Sequence, residues 1–162
     1  MRVQPGDDAE RAEVIEDLVD ALRRFTVESD VFVDVFARRH HLGRSDLNAI
    51  MWISTGEQSG KPVTAGELAG RLGLGPPATT ALVDRLETAG HVRRTRDPQD
   101  RRKVIIVMQP PARQVAAEFF GPLGRLMTEV LDGTPAGEMR QATAIVRRLI
   151  TAVNQARDEA AK

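Results

Sequence analysis

The sequence contains no cysteine among its 162 residues. That excludes disulfides, Cys-ligated zinc, a cysteine nucleophile and thiol-based redox sensing by the chain itself. No apolar run reaches the ~18 residues needed to span a bilayer, so no membrane partner is expected. The opening residues MRVQPGDDAERAE lack a basic-then-apolar leader pattern, which points to a cytoplasmic protein. Catalysis finds no support. There is no H-E-x-x-H and no G-x-S-x-G, and the segment from Gly70 to Gly75 has neither a strand before it nor a lysine after it. No cofactor is implied. Internal repeats and low-complexity tracts are also missing, and the length suits one domain or two closely packed small ones.

Net charge is zero, with 23 cationic and 23 acidic residues, which argues against a generally basic nucleic-acid coat but says nothing of local patches. The patches are there. Residues 1–34 hold ten acids against four arginines, whereas residues 91–103 hold six cations against two aspartates. Taken alone, such a basic run is most simply a solvated hairpin, but a clustered stripe also suits a polyanion.

Periodicity gives long helices around a compact middle. Over residues 10–38, Ile15, Leu18, Leu22, Phe25, Ser29, Phe32 and Phe36 recur at alternating threes and fours, a heptad seam with one polar position. Gly43 is expected to break this helix. Ser45 is a candidate N-cap for a second helix with Leu47, Ile50, Met51 and Ser54 on one face, ending at Gly60-Lys61-Pro62. Thr64-Ala65-Gly66-Glu67 is a capping box that opens a short helix, Ala65 to Leu72, burying Leu68, Ala69 and Leu72. Gly73 offers a positive φ for the turn that follows. Pro76 suits the first position of the next helix, whose inner face is read as Ala78, Leu82 and Leu86, widened by Val83, with Gly90 closing it.

From His91 the period changes. A short strand at Val92, the turn Arg96-Asp97-Pro98-Gln99-Asp100 and the β-branched run Val104–Met108 predict a hairpin with a basic tip. Residues 112–131 read as a helix that Gly121-Pro122 should kink or split. A last helix starts at Thr134-Pro135, with a second seam at Met139, Ala142, Val146, Leu149 and Val153. Residues 1–8 and 158–162 are expected to fray.

Two short helices joined at Gly73 form a helix-turn-helix, and the hairpin that follows turns it into a winged helix. The run Leu82-Val83-Asp84-Arg85-Leu86-Glu87-Thr88-Ala89-Gly90, then Val92-Arg93-Arg94 and the wing Arg96-Asp97-Pro98-Gln99-Asp100-Arg101-Arg102-Lys103, resembles the MarR-type family of transcriptional regulators (multiple-antibiotic-resistance regulators). The resemblance covers residues 10–157. It implies a mainly α fold with a small β-wing: a winged helix-turn-helix over residues 45–110, flanked by dimerisation helices over 10–44 and 111–157. It also implies a homodimer whose first and last helices interlock. The partner would be double-stranded DNA, a pseudo-palindromic operator with half-sites about one helical turn apart. The function implied is that of a repressor released by a small-molecule ligand. The alternative is a ligand-binding or protein-interaction module that keeps the fold without binding DNA.

In that frame the second helix of the pair enters the major groove, bringing Pro76, Pro77, Thr79, Thr80 and Ala81 nearest the bases. Ala81 stands where many relatives carry a long polar or basic residue, so base reading by paired hydrogen bonds is scarce. Arg85 can reach phosphate, or pair with Asp84, Glu87 or a wing acid. In the wing, the family's Asp-x-Arg pattern falls on Asp100 and Arg102. The arginine is expected to enter the minor groove, with the aspartate holding its side chain by a salt bridge. Arg94, Arg96, Arg101 and Lys103 are candidate phosphate contacts or exposed surface charges, and Thr64 could help offer backbone N–H groups to phosphate. The family's effector pocket would be lined here by Phe36, His40, His41, Met51, Trp52 and Phe119, for a small aromatic or anionic ligand. Trp52 as a plain core residue is the simpler reading. No metal is expected at His40 and His41, whose adjacent side chains diverge.

Overall fold

The computed structural model describes residues 5–160, six helices and one hairpin. In order these are α1 (Pro5–Arg39), α2 (Arg44–Gln58), α3 (Ala65–Leu72), α4 (Pro76–Thr88), β1 (Val92–Arg96), β2 (Val104–Met108), α5 (Pro110–Leu131) and α6 (Ala136–Ala160). The mainly α fold with a two-stranded wing is thus the one expected. The chain divides into two compact units, Met1–Phe120 and Gly121–Lys162. The ends expected to fray lie partly outside the described residues. Inside them, residues 5–8 and 158–160 are helical.

In the first unit, α1 ends on two basic residues, Arg38 and Arg39, which complement the helix dipole. The chain then reverses at His41, which adopts φ 56°, and not at Gly43. Gly43 is extended and serves as the N-cap of α2, displacing the expected Ser45. A glycine has no side chain to cap with, so the reciprocal half of the motif does the work: Gly43 N donates to Asp46 Oδ2 at 3.0 Å. Arg44 ties the start of α2 back to α1, with Nε 2.8 Å from Asp34 Oδ1.

The core lies between α2, α3, α4, the hairpin and the start of α5. Ala49, Ile50, Ile53, Val63, Leu68, Leu82, Val83, Leu86, Val92, Ile106 and Ala112 are its most deeply buried members. Each large aliphatic side chain so buried contributes about 1.5–3 kcal/mol before entropy is charged against it. Ala69, Leu72 and Met51 are only half-buried. The α3 capping box forms as read: Glu67 N donates to Thr64 Oγ1 at 3.2 Å, and Thr64 N to Glu67 Oε2 at 2.7 Å. Gly73 takes φ 65° at the end of α3, a conformation an L side chain strains. Gly56 is needed for a different reason. A Cβ there would stand 2.8 Å from the Lys61 carbonyl oxygen, where the loop to α3 crosses the helix.

On α4 the inner face is Thr79, Leu82, Val83 and Leu86, whereas Ala78 is exposed. The threes-and-fours spacing of a 3.6-residue helix selects Thr79, and a ladder of strict fours drifts off the face. The strands pair antiparallel from Val92 opposite Met108 to Arg96 opposite Val104. β2 has a second neighbour: Ile106 N donates to the Val63 carbonyl at 2.9 Å, and Thr64 bridges Ile105. This fastens the start of α3 to the wing. Glu57, on the buried face of α2, accepts from Met108 N at 2.8 Å and pairs with Arg113 at 2.9 Å, fixing the base of the hairpin.

α5 is helical without interruption through Pro122, so the expected split does not occur. In the second unit, α6 buries none of its residues, and Met139, Val146 and Val153 are all exposed.

Candidate nucleic-acid interface

The wing is held together by its own backbone. Asp97 N donates to the Lys103 carbonyl at 3.0 Å and Lys103 N to the Asp100 carbonyl at 2.9 Å. The two aspartates fold the turn. Gln99 N donates to Asp97 Oδ1 at 2.8 Å, and Arg102 N to Asp100 Oδ1 at 3.1 Å. Asp100 therefore does not hold the Arg102 side chain by a salt bridge, as the Asp-x-Arg pattern implies. It accepts from the arginine's backbone, because a short side chain two residues upstream meets the N–H of an Asx turn first. Arg96 Nη1 donates to the Arg101 carbonyl at 3.1 Å and so closes the hairpin from within. Arg101, Arg102 and Lys103 are exposed and make no ion pair among the described residues.

Arg94 is different. Its guanidinium bonds Glu87 and lies 2.6 Å from Asp84 Oδ1, while its backbone N donates to Glu87 Oε1 at 3.0 Å. Burial works against the charge, but the hydrogen bonds to Asp84 and Glu87 hold the guanidinium above its ordinary pKa. Arg94 is thus a rivet between β1 and α4, with Nη1 on Glu87 and Nη2 on Asp84, and not the free surface cation or simple phosphate contact considered from the sequence.

Arg85 pairs with none of the acids considered for it from the sequence. Its Nη2 lies 2.5 Å from Oδ1 of Asp46, a carboxylate only 7% exposed. Asp46 caps α2 with one oxygen and anchors α4 with the other. Neither Asp46 nor Glu57 was singled out from the sequence. The available signal was an acid in phase with the apolar face of α2, spaced 46, 50, 53, 57.

Along α4, Pro76, Pro77, Thr80 and Ala81 are exposed. Thr79 is not: it is 2% exposed, with its hydroxyl donating to the Gly75 carbonyl at 3.0 Å. It cannot read a base. Thr64 is also occupied, since its backbone N and its hydroxyl both donate to Glu67 Oε2. The chain's own carboxylate thus takes up Thr64 itself.

The residues proposed as a pocket come together only in part. Phe36 stacks on His40 with ring centroids 4.2 Å apart and meets Phe119 edge-on at 5.0 Å. His40 Nε2 lies 3.3 Å from Glu118 Oε2. His41 is exposed at the turn, and Met51 is half-buried on α2. Trp52 is neither core nor part of this cluster. It is 39% exposed, with the Arg71 guanidinium 4.7 Å above its ring.

A helix-turn-helix backed by an anchored hairpin with a cationic tip defines the winged-helix class. The MarR family pattern matches residues 42–103. An uncharacterised HTH-type transcriptional regulator of Bacillus subtilis, YcgE, is 36% identical over 113 residues, which is 70% of this chain and 71% of that protein. Among solved structures, a MepR mutant from a multidrug-resistant S. aureus isolate superposes with TM-score 0.68 at 15% identity, covering 84% of this chain and 96% of that one. Another S. aureus MepR mutant, bound to an oligodeoxyribonucleotide, gives 0.54 at 15% identity, covering 84% and 97%. The chain belongs to the MarR family. It is a winged-helix transcriptional regulator and not an enzyme. No described helix is long and apolar enough to cross a membrane.

Proposed function

We propose that this regulator works in the cytoplasm as a homodimer that binds a pseudo-palindromic operator and represses until a small aromatic or anionic effector releases it. Residues 45–110 form the DNA-binding domain in this reading, and residues 10–44 and 111–157 the dimerisation helices. The observation that carries it is the tip of the wing. Arg101, Arg102 and Lys103 stand exposed and unpaired among the described residues, on a hairpin whose base is riveted to α4 by Arg94. Exposed cations clustered on a hairpin and left without partners suit a polyanion. Arg102 enters the minor groove, Arg101 and Lys103 meet phosphate, and α4 lies in the major groove. The oligodeoxyribonucleotide on a MepR mutant supports the same use of this fold.

Dimerisation is supported by the uncovered seams of α1 and α6. The effector would act through Phe36, His40 and Phe119, shifting the population of dimers whose recognition helices match the operator spacing. The alternative, a module that kept the fold without DNA binding, draws on the absence of any long polar side chain on the exposed start of α4.

Salt titration separates the two. Log affinity for duplex DNA should fall with log salt by ~0.9 per neutralised phosphate. Arg102→Ala should cost roughly 1–3 kcal/mol of operator affinity while the thermal midpoint stays put. Unchanged binding by that variant would refute the wing assignment.

A further inference from the structure

Side chains read the major groove either by hydrogen bonds to base edges or by apolar contact with the thymine C5-methyl. The exposed positions in the first two turns of α4 are Pro76, Pro77, Ala78, Thr80 and Ala81. None carries an amide, a guanidinium or a carboxylate. The single hydroxyl, Thr80 Oγ1, donates to the Pro76 carbonyl at 3.0 Å, so its proton is committed and only its acceptor capacity remains, beside an exposed methyl-bearing side chain. The backbone offers little more. Two prolines remove two of the free N–H groups of a helix start, and Thr79 N is bonded to the Gly75 carbonyl at 3.0 Å. Further along, Asp84 is taken by Arg94 and Arg85 by Asp46. The surface is a small field of pyrrolidine rings and methyls beside a cationic hairpin. An apolar protein partner would match the field and not the cations, whereas a duplex studded with methyl groups matches both.

We propose that α4 recognises its half-site through thymine methyl groups, with thymines lying under Pro77, Thr80 and Ala81. Sequence choice is then apolar and independent of salt, and the wing supplies the salt-dependent affinity. The inference rests on the DNA-binding reading above.

The test uses the full chain and duplexes it enriches from a random-sequence library, resynthesised with deoxyuridine for thymidine at one half-site position at a time. Loss of one contacted methyl is expected to weaken binding about fourfold, the effect of one buried methyl group. The slope of log affinity against log salt should not change, because no phosphate contact is lost. Thr80→Ser keeps the hydroxyl and removes the protein's methyl. It should lose a similar factor on the thymidine duplex and almost nothing further when the thymidine it meets is replaced, the non-additivity of a direct contact. Deoxyuridine duplexes bound as tightly as thymidine ones, or a Thr80→Ser loss that simply multiplies with the deoxyuridine loss at every position, would overturn the inference and leave DNA binding intact. If no duplex is enriched even at low salt, the DNA-binding reading falls and this one with it.

Discussion

Leu68 on α3 and Val153 on α6 are both aliphatic residues in phase with the apolar stripe of a helix, yet Leu68 is wholly buried and Val153 is 68% exposed. The difference runs through the whole molecule. The winged-helix middle closes around its own side chains and pins its polar joints with Asp46, Glu57, Asp84 and Glu87. α6 has no buried residue. α1 shows both behaviours along one seam: Phe36 is buried near its end, whereas Ile15, Leu18 and Phe25 are exposed. A helical stripe left exposed over this length is what the proposed dimer would use. The middle buries its own apolar residues, and α6 does not.

Exchanging damage between the two regions tests that contrast. Leu68→Ala should give the largest loss of stability, about 2–5 kcal/mol by denaturant unfolding, with the oligomeric state unaltered in sedimentation. Val146→Arg should do the reverse. If the proposed dimer forms through the α6 seam, it should weaken self-association by about thirtyfold or more, since a charge replaces one of the seam's exposed apolar side chains. A Val146→Arg chain that sediments like the unaltered protein would break the contrast, because the seam on α6 would then need no cover.

How far the fold was legible follows the same division between local and distant causes. The Thr64–Glu67 box, the positive φ of Gly73, the proline start of α4 and the hairpin are all local, and each could be read from adjacent residues. Helix faces were legible up to a phase error: counting by fours put Ala78 inside and Thr79 at the bases, whereas Ala78 is exposed and Thr79 is buried. A threonine can be buried on a helix because its hydroxyl satisfies itself on the carbonyl four residues back. Ion pairs between elements were not legible. Arg85 meets Asp46 across 39 residues of sequence, and nothing near Arg85 points to it. For the same reason, the sequence could place six cations in the hairpin region but not say that Arg94 is engaged and Arg102 free.

Within the closed middle, two smaller effects sharpen the comparison, because both act where α3 meets the wing. Thr64→Ala removes the hydroxyl that accepts from Glu67 N and should cost about 1 kcal/mol in a thermal or denaturant melt. The smallest effect is a pH dependence carried by the other half of the box. Hydrogen bonds from the Thr64 backbone N–H and hydroxyl hold the Glu67 carboxyl below its ordinary pKa. The folded state therefore binds the Glu67 proton more weakly than the unfolded chain does. The stabilisation is complete above the unfolded carboxylate value of about 4.3, and it is lost as the pH falls through the lower folded value. Glu67→Gln can still accept from Thr64 but does not titrate. Its melting temperature should fall less steeply on acidification below about pH 4.5 than that of the unaltered chain. Parallel acid profiles for the two proteins would mean that the Glu67 carboxylate does not carry the cap of α3.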